Sequence, residues 1–288
     1  PCLALNARSS VISIRSPPQP TQLAGLSLAS HRHTTKAPCR ASLFYHRFIY
    51  PEAATIQGMN EQQLAHNIAN LLERVRLSAE KSQRCADDIL LLAVSKTRPE
   101  QDIRSAHKCG LREFGESYLQ EALDKIEALQ DLDLVWHFIG PIQSNKTRPI
   151  ASNFHWVHSV DRAKIARRLS EQRPPGLPPL QVCLQVNISA EQSKSGVAPE
   201  QLPQLAQEVA QLPRLHLRGL MAIPAATQDS LQQRRAFAQL RREFEQLQLQ
   251  LPGLDTLSMG MSGDMESAIA EGATILRIGS AMFGPRNR

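Results

Sequence analysis

The chain has 288 residues, 42% of them hydrophobic and 5% aromatic, with a net charge of +6. That length admits one large barrel or two ordinary domains. The positive charge is concentrated at one end. Residues 1–58 hold six basic side chains (Arg8, Arg15, Arg32, Lys36, Arg40 and Arg47) against the single acid Glu52, and the other 230 residues carry 27 basic and 26 acidic ones. A near-neutral body lacks the electrostatic footprint of a nucleic-acid binder. The cysteines, Cys2, Cys39, Cys85, Cys109 and Cys183, are scattered, odd in number and form no Cys-x-x-Cys pair. That argues against a disulfide framework or a zinc site and fits a reducing, cytoplasmic setting. Leu43 to Tyr50 is apolar but short and broken by His46 and Arg47, so no run reaches membrane-spanning length.

Residues 1–58 show neither helical nor strand periodicity and read as a disordered N-terminal extension. Their Arg- and Ser-containing, acid-poor composition resembles a transit peptide. Pro17, Pro18 and Pro20 would break an amphipathic helix there, and Met59 would make an ordinary domain start. From residue 60, Leu64, Ile68, Leu71, Leu72 and Val75 fall at helical spacing. Strand-like and helix-like segments then alternate. The strands are expected at 89–96, 112–116, 135–140, 156–160, 180–188, 217–223, 256–260 and 275–279. Helices are expected at 99–109, 117–130, 161–172, 199–212, about 229–250 and 264–272, several of them ended by Gly. Eight such units over residues 59–288 favour a single (β/α)8 TIM barrel, with a doubly wound open sheet as the alternative.

The first strand, Ile89-Leu-Leu-Leu-Ala-Val-Ser-Lys96, is an apolar run closed by Thr97-Arg-Pro99. It places Lys96 at the C-terminal strand ends, where barrels build their chemistry. A lysine at an apolar rim loses its proton more readily than one in water, and a neutral amine can form a Schiff base with an aldehyde. A lysine that merely caps the strand is the plainer alternative. Barrels commonly hold phosphate after strands seven and eight. There, Ser258-Met-Gly-Met-Ser-Gly-Asp264 offers the hydroxyl of Ser262, and Gly279-Ser280 allows backbone amides to approach closely. Ser262 or Asp264 could equally be a helix cap, and Gly279 a turn. Arg277 stands on the face of its strand opposite Leu276 and Ile278 and needs a partner, either a ligand or an acid such as Glu116.

Several motifs occur in order: Leu92-Ala-Val-Ser-Lys96, Phe114-Gly-Glu116, Trp136-His-Phe-Ile-Gly-Pro-Ile-Gln-Ser-Asn-Lys146, Ser193-Lys-Ser-Gly196, Arg218-Gly-Leu-Met-Ala-Ile-Pro224, Leu257-Ser-Met-Gly-Met-Ser262, Arg277-Ile-Gly279 and Phe283-Gly284. Over residues 59–288 this resembles the YggS (PROSC, PLPBP) family of pyridoxal phosphate homeostasis proteins. The resemblance implies a barrel of the alanine racemase N-terminal type that carries pyridoxal 5′-phosphate (PLP) on Lys96 as a Schiff base. Its phosphate would lie on Ser262, Gly279 and Ser280, and Arg277 would face the pyridine nitrogen. A cation there disfavours ring protonation and makes the cofactor a poorer electron sink. Ser117 departs from the family pattern, which has Asn after Phe-Gly-Glu. The roles of Ser117, His137, Lys146 and Lys194 stay open, with Lys194 a possible second aldehyde acceptor.

Two functions compete. A PLP-dependent amino-acid racemase needs acid/base groups on both faces of the substrate carbanion. Alanine racemases supply the second as a tyrosine from a C-terminal β domain, which is not expected here because the sequence read ends at Arg288, just after the eighth strand. A carrier that buffers PLP and delivers it to apo-enzymes needs only the grip. The carrier, a cytoplasmic monomer with no catalytic residue, no metal, and no nucleic-acid or membrane partner, is the expected reading.

Overall fold

The structure, a computed structural model, describes residues 61–189 and 195–285. The expected disorder of 1–58, the domain boundary at 58/59 and the position of Lys194 lie outside these residues. Eight parallel strands alternate with helices: β1 (Leu90–Val94), β2 (Glu113–Glu116), β3 (Val135–Phe138), β4 (Trp156–Val160), β5 (Leu180–Gln185), β6 (Leu215–Met221), β7 (Thr256–Ser258) and β8 (Ile275–Ile278). They hydrogen-bond in chain order into a closed barrel, which eliminates the open-sheet alternative. The ring closes where Leu90, Leu91, Leu92 and Ala93 pair with Ile275, Leu276, Arg277 and Ile278.

The helices are α1 (Glu61–Lys81), α2 (Glu100–Lys108), α3 (Leu119–Ala128), α4 (Thr147–Asn153), α5 (Ala163–Gln172), α6 (Leu202–Ala210), α7 (Ser230–Gln248), α8 (Met265–Ala270) and α9 (Ser280–Phe283). The apolar stripe of α1, Leu64, Ile68, Leu71 and Val75, is buried as its spacing demands, and the helix packs against α8 and α9. Asp229 caps α7 by accepting the Leu231 N–H, and Phe237, Leu240, Phe244 and Leu247 form its buried face. Among the described residues, no helix is long and apolar enough to cross a membrane. Among the described residues, Cys109 and Cys183 are free thiols.

Side chains of alternate parity enter different environments. Leu91, Ala93, Phe114, Val157, Leu276 and Ile278 join one apolar core with the helices. Leu92, Val94, Cys183, Met221 and Ile275 are buried apart from that core, inside the ring. The ring also contains a set of polar side chains, described below.

Strand β6 bulges at Arg218: Val182 pairs with Leu217, but the next residue, Cys183, pairs with Gly219. The bulge frees Arg218 to grip Asp255 through Nε at 2.9 Å and Nη2 at 2.5 Å and to lie 4.9 Å over the Trp156 ring. It also brings Gly219 so close to β7 that a Cβ would sit 1.9 Å from the Thr256 carbonyl oxygen. Gly219→Ala should therefore lower stability to urea by about 3 kcal/mol, the upper range for overpacking. Gly253→Ala, where a Cβ meets nothing within 4 Å, should change it by no more than about 0.5 kcal/mol. Equal effects of the two would contradict the bulge packing.

Candidate cofactor site

Lys96 is half-buried on the turn that follows β1, two residues past the strand. Thr97 beside it adopts φ +63°, a left-handed conformation that costs a non-glycine residue about 1 kcal/mol or more. Polar contacts hold it there. Glu121 Oε1 accepts the Thr97 N–H at 2.5 Å and also bonds Lys125 Nζ at 2.5 Å. Lys125 donates in addition to the Ser95 carbonyl and to Glu116 Oε1, both at 2.8 Å, while Ser95 Oγ donates to the same carboxylate oxygen at 2.7 Å. Burial pushes the Glu116 carboxyl upward, and Lys125 opposes that shift. The backbone of the turn carrying Lys96 is thus clamped on its helix side by an ion-pair network of Glu116, Lys125 and Glu121.

This placement corrects one expectation. Glu116 is not the partner of Arg277. On β2 the inward positions are Glu113 and Gly115; a Cβ on Gly115 would meet the Leu92 side chain at 3.2 Å. Glu116 therefore faces the helix layer and pairs with Lys125. Arg277 is buried inside the ring, 4% exposed. Its Nη1 donates to the Ser258 carbonyl at 2.5 Å and to Ser258 Oγ at 2.8 Å, and its Nη2 donates to the Ala222 carbonyl at 2.9 Å. Burial lowers its pKa to about 10, which leaves a cation at neutral pH held by neutral oxygens.

After β7 and β8 the two small-residue loops meet. Ser262 Oγ accepts the Ala281 N–H at 3.2 Å and lies 3.3 Å from Ser280 Oγ, which donates to it. Gly260, at φ +95°, turns the first loop so tightly that a Cβ would stand 2.6 Å from Ala268 Cβ. Asp264 bonds back to the Met261 N–H at 2.6 Å and makes no side-chain cap on α8. Neither serine nor aspartate is a simple helix cap. Gly279 lies against β1, its missing Cβ 3.4 Å from the Val94 carbonyl, so the Ser262–Gly279–Ser280 group borders the strand that leads to Lys96.

The open residues separate. His137 is fully buried inside the barrel and Lys146 is exposed. The Ser117 carbonyl packs so closely on Gly140 that a Cβ there would sit 2.1 Å from it, a backbone contact available to Ser or Asn alike. Among the described residues, no cluster of three or more His, Cys, Asp or Glu could hold a metal ion. Three polar residues of the barrel interior were not singled out from sequence for this region: Glu113, His158 and the hydroxyl of Ser258. Their signal is a polar residue at inward parity on strands that are otherwise apolar.

A family model described as "Alanine racemase, N-terminal domain" matches residues 59–287. The pyridoxal phosphate homeostasis protein of Pseudomonas aeruginosa is 63% identical over 224 residues, covering 78% of this chain and 96% of its own length. The chain belongs to this family. Its member from Escherichia coli K12, which carries the same name, is 50% identical over 227 residues, 78% of this chain and 97% of its own. Among solved structures, PipY of Synechococcus elongatus with PLP bound matches at TM-score 0.67 and 38% identity, covering 77% of this chain and 100% of that one.

Burial holds His158 well below, and His137 below, the usual histidine pKa, Glu113 partly opposing the shift for His137. The unfolded chain takes up protons on these imidazoles as pH falls through about 6.5, and the native chain does not. Their contribution to stability is therefore present above that pH and lost below it. Glu116, shifted upward, acts with the opposite sign nearer the carboxylate range. The urea midpoint should fall between pH 7 and pH 5.5; a flat or rising midpoint would contradict two neutral buried histidines.

Proposed function

We propose that this chain binds PLP at the C-terminal face of the barrel, holds it through Lys96 and releases it to apo-enzymes, without robust turnover of its own. The observation that carries the reading is the convergence, across the β8–β1 seam, of the clamped Lys96 turn with the Ser262, Gly279 and Ser280 loops above a buried arginine. The donor set fits the cofactor. Two hydroxyls and loop amides suit a phosphate, a half-buried amine suits an aldehyde, and a guanidinium bonded only to neutral oxygens suits an unprotonated ring nitrogen. PLP supplies a reversible aldehyde and an electron sink. Lys96 would supply the amine that holds this aldehyde reversibly. Arg277, remaining charged, would disfavour a proton on the ring nitrogen and make the cofactor a poorer electron sink. The names of the relatives, which describe homeostasis rather than a reaction, support the same side.

The racemase alternative needs a second acid/base group opposite Lys96. Tyr118 is the only tyrosine among the described residues and is 53% exposed, at the entry to α3, a poor setting for a tuned base. The carrier reading extends to a monomer acting in the cytoplasm, with apo-enzymes as its recipients and no nucleic acid or membrane.

Titration of the purified protein with PLP should give a visible absorption band in the wild type and none in Lys96→Ala. Ser262→Ala should weaken binding about tenfold, the loss of one hydrogen bond to a charged group. An L-amino-acid panel given to the loaded wild type should show no racemisation. Rapid racemisation would overturn the carrier reading, and a wild type that stays colourless would overturn PLP binding.

A further inference from the structure

A chain of polar side chains crosses the barrel interior beneath Arg277. Glu113 Oε2 lies 2.6 Å from His137 Nε2; His137 Nδ1 lies 2.9 Å from His158 Nε2; His158 Nδ1 lies 2.8 Å from Ser258 Oγ. Ser258 Oγ in turn accepts from Arg277 Nη1 at 2.8 Å. The links come from β2, β3, β4, β7 and β8, so the chain exists only because the ring is closed. One end reaches the N-terminal mouth, where the Glu113 side chain is 25% exposed, and the rest is buried.

We propose that Glu113, His137, His158 and Ser258 are positioning residues for Arg277, acting as a one-way hydrogen-bond relay from the barrel floor. The ends set the direction. A guanidinium only donates and an ionised carboxylate only accepts. Ser258 Oγ accepts from Arg277, so its own proton goes to His158 Nδ1. His158 then carries its proton on Nε2 and gives it to His137 Nδ1. His137 likewise carries its proton on Nε2 and gives it to Glu113. Each imidazole then uses one N–H and one ring lone pair, and both rings are neutral. The reverse direction would need an additional proton between His137 and Glu113, on one or the other, and would leave the Ser258 hydroxyl proton with no acceptor in the chain.

The surroundings favour the neutral chain. His137 stacks on Trp156 at 5.4 Å with rings 5° from parallel, and Arg218 covers that same indole. His155 couples to His137 and Glu113, and Cys183, its thiol pushed up to about 12 by burial, lies near Arg277. The cations Arg218 and Arg277, the buried neutral thiol of Cys183 and the exposed His155 ring give an imidazolium no second carboxylate to lean on. Burial lowers the pKa of both relay histidines. The relay itself stands on this geometry; its consequence, a fixed guanidinium under the cofactor ring, rests on the proposed function.

The test begins on cofactor-free protein. Long-range 1H–15N spectra at pH 7 should show His137 and His158 both neutral and both protonated at Nε2. A doubly protonated His137, or His158 protonated at Nδ1, overturns the relay. Glu113→Leu removes the terminal acceptor, whereas Glu113→Gln keeps one. Hydrogen exchange at the Arg277 guanidinium should quicken about tenfold, the equivalent of about one hydrogen bond, in the leucine variant and return to near wild type in the glutamine variant. Equal exchange in all three proteins overturns the positioning role, and the wild-type tautomers decide the relay even if Glu113→Leu fails to fold. With PLP added, the absorption band should move in Glu113→Leu and be restored in Glu113→Gln. A wild type that binds no PLP would contradict the proposed function and leave the tautomer and exchange readouts to judge the relay.

Discussion

Strand β8 pairs along β1, and this one ladder converts eight strands into a ring. Lys96 and Gly279 are far apart in the chain, and only that pairing makes the turn after β1 a neighbour of the loop after β8. Gly279 marks the seam: a Cβ there would be in ordinary contact with Val94, 3.4 Å from its carbonyl oxygen. Ser262 then joins from the loop after β7 through the Ala281 amide. The same closure brings β4 and β7 to opposite walls of one interior, close enough for His158 to reach Ser258.

The barrel separates its tasks by side-chain parity. The outer layer, where Phe114, Val157 and Leu276 meet Phe237 and Phe244, is apolar and supplies the burial that folds the chain. The inner layer mixes Leu92, Val94 and Ile275 with His137, His158 and Arg277. Buried polar groups add stability only when each has a partner, and buried charges seldom add any. An interior built for stability alone would be filled with branched apolar residues, as in other barrels of this type. The polar chain is better understood as a means of holding Arg277 in one orientation. The Glu116–Lys125–Glu121 network does the equivalent for the backbone around Lys96.

Much of this was legible in the sequence because parallel barrel strands are buried on both faces and read as continuous apolar runs. Leu90 to Val94 and Ile275 to Ile278 are such runs, and the Thr97–Pro99 turn marks where the first one stops. Arg277 stood out as the one charge in its strand. Helix α4 was not anticipated, since it has seven residues, contains Pro149 and buries only Thr147, Ile150 and Ala151; α9 has four residues and no room for periodicity. Alternation along β2 gives two faces without saying which is inner, so Glu116 was a plausible partner for Arg277. Gly115, whose missing side chain accommodates Leu92, held the answer. The links of His137 to Glu113 and of His158 to Ser258 join different strands, so no local pattern announces them.

The central claim is that the Lys96 turn is where the cofactor is held. Borohydride reduction of the PLP-loaded wild type, followed by proteolysis and mass mapping of the modified peptide, tests it most directly. The account predicts a single pyridoxyl adduct on Lys96, at close to one per chain. An adduct on Lys125, Lys146 or Lys194 in its place, or no adduct at all in protein that has bound PLP, would contradict it.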